Sequence, residues 1–171
     1  MKKDNNTPII FVSVIIILIQ IVTNTFFYLG RYIYIAFFIY IILNLPYRYK
    51  TIPTMLFAFC LGLLIDLASG SLLGLNAGAA VLIGACRLSI LEQFSTLDNI
   101  ERDSRPNIKS LSFVKYFLYI STMTFLFFIA YFLLEAMTFR NLGFTTLRIL
   151  ISGSINTNIL LIFGCILQNN S

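Results

Sequence analysis

The chain has 171 residues, of which 58% are hydrophobic and 11% charged, with a formal charge of +5. A soluble domain carries about 25% charged and 45–50% apolar residues, so this chain cannot clothe a water-facing surface and needs lipid as its solvent. The lack of histidine removes Ser-His-Asp and Cys-His mechanisms and the usual zinc ligands, and basic residues placed singly or in pairs at the ends of apolar runs mark helix orientation rather than nucleic-acid binding.

At roughly 20 residues per span, the sequence predicts an all-α, polytopic membrane helix bundle, a single integral membrane domain over residues 1–171 with about six transmembrane helices. Met1-Lys2-Lys3 followed by Ile9 to Val22 resembles a signal peptide. The next stretch, Thr23-Asn24-Thr25-Phe26-Phe27-Tyr28, lacks the small residues of a cleavage site, so an uncleaved first span is expected over 8–29. Gly30-Arg31 makes a short break before a second span, 32–45. At about 21 Å it is short for a hydrocarbon core of about 30 Å, so Arg31, Tyr47 and Arg48 are expected to snorkel. Pro46 and Pro53 bracket a loop, and the third span covers 52–68. Ser69-Gly70-Ser71 turns into the fourth span, 72–91, and the polar stretch from Glu92 to Ser110 leads to the fifth, 113–137, and the sixth, 143–167. With both termini in the cytoplasm, the inner side collects nine basic residues (Lys2, Lys3, Arg48, Lys50, Arg87, Arg102, Arg105, Lys109 and Lys115). The outer side collects three (Arg31, Arg140 and Arg148), the bias the positive-inside rule requires.

Asp66 is the one carboxylate well inside an apolar run, where a charge costs about 2.5–3.5 kcal/mol at the helix centre. It shares a helix face with Gly62 and Gly70, a spacing that lets a neighbouring backbone approach while the carboxylate caps or pairs. A structural hydrogen bond, a proton or ion relay and a contact to a partner protein are all open to it. Gly74 and Gly78 open the fourth span with a small-xxx-small pair, repeated by Ala80 and Gly84. Arg148, Ser152 and Asn156 form a polar stripe on the sixth span with Thr145 at its outer end, and Gln20, Thr23 and Asn24 form a weaker one on the first. Arg148 is long enough to reach Asp66, so an intramembrane pair between the two is expected. Cys60, Cys86 and Cys165 stand alone in apolar runs as packing thiols. No carboxylate lies in the inner half of any span, against a proton-driven transporter, and the Gly-x-x-x-x-Gly-Lys phosphate cradle is missing. The reading is of a non-enzyme without catalytic residues, metal or cofactor.

The run Gly62-Leu63-Leu64-Ile65-Asp66-Leu67-Ala68-Ser69-Gly70, followed by Leu73-Gly74-Leu75-Asn76-Ala77, resembles the rod-shape-determining membrane protein D (MreD) family. Leu45-Pro46 and the six-span layout fit as well, and the motif covers about a fifth of the chain. The resemblance implies a multi-pass component of the elongation machinery in the bacterial cytoplasmic membrane. Its partners would be a bitopic MreC-like protein, the actin-like MreB filament and peptidoglycan synthases. The family's fold looks like the substrate-binding component of energy-coupling factor transporters, so a small-molecule (vitamin) transporter subunit is the alternative. Those components dock through alanines spaced by three in their first span, and 8–29 here has none.

Overall fold

The computed structural model describes residues 7–26, 33–94, 105–106, 108–136 and 142–169. Gly30-Arg31, most of the polar stretch after Phe94, Arg140 and the terminal Met1-Lys2-Lys3 lie outside the described residues. Within them the chain forms α1 (Thr7–Phe26), α2 (Ile39–Leu43), α3 (Thr51–Ser69), α4 (Leu75–Phe94), α5 (Ile108–Leu111), α6 (Phe113–Ala136) and α7 (Leu142–Asn169).

Local chemistry sets the ends of the central pair. Pro53 sits in the first turn of α3, where its missing N–H costs nothing, and the Thr54 hydroxyl donates back to the Lys50 carbonyl at 3.0 Å. α3 stops at Gly70, which takes the left-handed conformation (φ 62°) that only glycine adopts readily. A turn through residues 72–74 follows, so α4 starts at Leu75 rather than at Leu72.

Helices α3, α4, α6 and α7 are each long and apolar enough to cross a membrane, and α1 adds a shorter apolar stretch, Phe11–Thr25. Their outward faces are apolar too: Ile52 is 71% exposed, Leu67 65% and Ile162 58%. Apolar surface on both sides of a helix is what lipid solvates and water does not. The molecule is a polytopic helical membrane bundle. α3 packs on α4, α4 on α6 and α6 on α7, with α1 laid against α3.

The second expected span, 32–45, is not a continuous helix. Residues 33–36 form no regular secondary structure, a turn follows, and α2 is only five residues long. This segment lies in the middle of the bundle, with Ala36, Phe38, Ile39 and Ile42 fully buried. Non-helical backbone is tolerable at membrane depth only where protein satisfies its polar groups, and two side-chain amides do so. Asn156 on α7 accepts from the Ala36 N–H at 2.8 Å and donates to the Tyr34 carbonyl at 2.8 Å. Gln20 on α1 accepts from the Phe37 N–H at 2.6 Å and donates to the Ile35 carbonyl at 2.9 Å. Each amide offers one donor and one acceptor, as the neighbouring strand of a sheet would. Ser152 accepts from the Tyr34 N–H at 3.1 Å.

Aromatic packing fixes the segment laterally. Tyr34 stacks on Tyr131 with ring centroids 4.6 Å apart, Phe38 meets Phe127 edge-on at 5.6 Å, and Phe37 meets Phe163 at 5.8 Å. Past α2 the carbonyls of Leu43 and Leu45 accept from the buried Arg87 guanidinium of α4, and Leu43 also accepts from the Tyr119 hydroxyl. Arg87, counted among the cytoplasmic basic residues, is fully buried, where it complements the partial negative charge of a helix C-terminus.

Candidate functional site

The site gathers where α3 ends and α4 begins. The first four N–H groups of a helix have no partner within it, and inside a bilayer there is no water to take them. Asp66 supplies the acceptors. Its Oδ2 accepts from the backbone N–H of Gly74 at 2.9 Å and of Ala77 at 3.2 Å. Its Oδ1 accepts from the Asn76 N–H at 3.2 Å, the Asn76 side-chain amide at 2.9 Å and the Ser71 hydroxyl at 3.0 Å. The remaining N–H, on Leu75, reaches the Leu72 carbonyl at 3.4 Å. One carboxylate therefore caps the helix that follows its own, and a negative group belongs at that positive helix end.

The glycines make this closeness possible. A Cβ at Gly62 would stand 2.6 Å from the Ala77 Cα and 2.7 Å from its nitrogen, a collision with backbone. Gly74 reaches φ 97° to turn its N–H toward Asp66. Gly78 faces outward against the tip of Leu134. The expected motif Gly62, Asp66, Gly70, Gly74, Gly78 thus falls on a single α3–α4 hairpin.

Polar contacts extend from the cap across the bundle. The Asn76 side-chain oxygen accepts from the Tyr34 hydroxyl at 2.9 Å. Asn24 on α1 donates to the Ser69 hydroxyl at 2.9 Å and, more weakly, to Tyr34 at 3.4 Å. Gln20 donates to Asn24 at 2.9 Å. Gln20, Asn24, Tyr34, Asn76 and Asp66 thus form one network joining α1, the non-helical segment 33–36, α3 and α4. Tyr34 is its hub and carried no signal in the sequence, where it is one of many aromatic residues in apolar runs.

The expected Asp66–Arg148 pair is not formed. Arg148 pairs with Glu135 at 2.6 Å, and its guanidinium lies over the Phe132 ring at 4.3 Å. The physical reason is proximity. Glu135 near the end of α6 and Arg148 near the start of α7 share one end of two adjacent helices, while both Asp66 oxygens are already occupied by the start of α4. Glu135, partly exposed, takes the arginine. Ser152 and Asn156, on the same stripe as Arg148, face the non-helical segment 33–36. Among the described residues no group of three or more His, Cys, Asp or Glu side chains could hold a metal ion. Cys60 and Cys165 face outward and Cys86 is partly buried.

No protein-family profile matches the chain, and neither curated proteins nor solved structures give a match.

Proposed function

We propose that the chain is a non-enzymatic scaffold of the bacterial cell-shape machinery, set in the cytoplasmic membrane with both termini in the cytoplasm. In this reading it joins a bitopic MreC-like protein, the actin-like MreB filament and peptidoglycan synthases into one elongation complex. The observation that carries the reading is the complete use of Asp66 within the chain. Its five donors come from Ser71, Gly74, Asn76 and Ala77, leaving neither oxygen to a passing ion or substrate. The motif on which the resemblance rests thus acts as a rigid hairpin lock, as a scaffold needs. A vitamin-transporter subunit would also want a docking face of alanines in the first span, and α1 has no alanine.

Depletion of the protein tests the proposal. A rod-shaped cell is expected to round or widen, and a naturally round cell to insert peptidoglycan more slowly. Normal shape and wall synthesis together with failed vitamin import would overturn it in favour of the transporter subunit.

A further inference from the structure

Asparagine facing lipid in mid-span is costly, because hydrocarbon offers its amide no partner. α7 presents one. Ser154 and Asn158 are both exposed, and each lies more than about 13 Å from either end of the apolar stretch Gly143–Leu167 at 1.5 Å per residue. Asn158 donates one N–H to the Ser154 carbonyl at 2.8 Å. Its side-chain oxygen and second N–H have no partner among the described residues. Exposed or half-buried positions run along the rest of this face, with Ile162 exposed and Leu161 buried between Asn158 and Cys165. Leu147, Ile151, Ser154, Asn158 and Cys165 follow one another at steps of 4, 3, 4 and 7 residues. Four of them are exposed, and Ile151 is half-buried. That is the seam of a heptad repeat, with Ile151, Asn158 and Cys165 at equivalent positions.

We propose that this face of α7 packs against the same face of a second copy, in parallel and in register. Two copies inserted the same way are related by an axis along the membrane normal, so residue meets residue across it. Asn158 is complementary to itself in that geometry: the free N–H of each copy donates to the free oxygen of the other. A single asparagine at a seam position fixes register and a two-stranded state in parallel helix pairs, and interhelical amide bonds hold helices together in lipid. The inference does not depend on the cell-shape reading.

Cys165, one heptad beyond Asn158 on the same face, reports on the contact. In membranes carrying the chain with Cys60→Ser and Cys86→Ser, mild oxidation should give a covalent homodimer through Cys165. Asn158→Leu, harmless to a lipid-facing position of the monomer, should cut that product about tenfold, the loss expected for interhelical hydrogen bonds in lipid. Energy transfer between singly labelled copies in bilayers should fall with it. A chain keeping only the exposed Cys60 should give little dimer. Absence of the Cys165 dimer, its indifference to Asn158→Leu, equal yield through Cys60, or an adduct with a different membrane protein in its place would each overturn the proposal.

Discussion

Asp66 has one methylene between its backbone and its carboxylate, too little to reach water from inside a bilayer. Its partners had to come from the protein, and they are mainly backbone N–H groups. Asp66→Ala would strand three of them, at about 1–3 kcal/mol each. Arg148→Ala removes a partly exposed ion pair and a ring contact, about 1–2 kcal/mol. In reversible unfolding of the reconstituted protein, Asp66→Ala should therefore be several times the more destabilising, with the two effects simply additive. Glu135 and Arg148 should instead couple in a double-mutant cycle. A coupling between Asp66 and Arg148 above about 0.5 kcal/mol would restore their direct contact. The sequence made Asp66 and its glycine spacing visible, because a charge in an apolar run stands out. It pointed to the wrong partner because a reading by residue type searches for cations, and the donors here belong to the main chain of Gly74, Asn76 and Ala77.

At the scale of elements, the departure from expectation is the segment 33–43. Hydropathy reports burial, and this segment is buried, but hydropathy cannot distinguish a short apolar helix from irregular backbone whose polar groups are satisfied by side chains. The missing information sat elsewhere in the chain, in Gln20 and Asn156, whose amides supply the pairing. The polar stripes on α1 and α7 were legible; their object was not. Both amides should be needed to hold this stretch of backbone. Hydrogen exchange in lipid nanodiscs should show slow exchange at the Ala36 and Phe37 amides, the two that donate to Asn156 and Gln20. Asn156→Leu should speed exchange at Ala36, and Gln20→Leu at Phe37, by at least about tenfold for each acceptor lost. Unchanged protection in both variants would mean that packing alone holds the segment.

For the whole molecule, long apolar helices were the most legible feature, since their length and composition follow directly from the thickness of the bilayer. The number of passages is subtler. The segment from Tyr34 to Leu43 begins beside Asn76 and ends beside Arg87, eleven positions along α4 or about 16 Å. It therefore travels much of the bundle's depth without being a membrane-crossing helix. That course supports a topology in which the chain changes sides between α1 and α3. Reporter fusions after Lys50 and Lys109 are expected to read cytoplasmic and one after Gly70 external. An external signal after Lys109 would reverse the orientation drawn from the basic residues.

The cap also has a history within each molecule. Asp66 is synthesised before Gly74, Asn76 and Ala77, the residues whose N–H groups receive it. At roughly 5–20 residues per second, the ribosome leaves the carboxylate without those donors for about 0.5–2 s. Lipid is a poor place to wait with an unmatched carboxylate, so α3 gains by lingering at the wall of the insertion channel until the first turn of α4 arrives. The two helices are then expected to enter the bilayer as one unit, already joined, so that the order of residues along the chain becomes an order of events at the membrane.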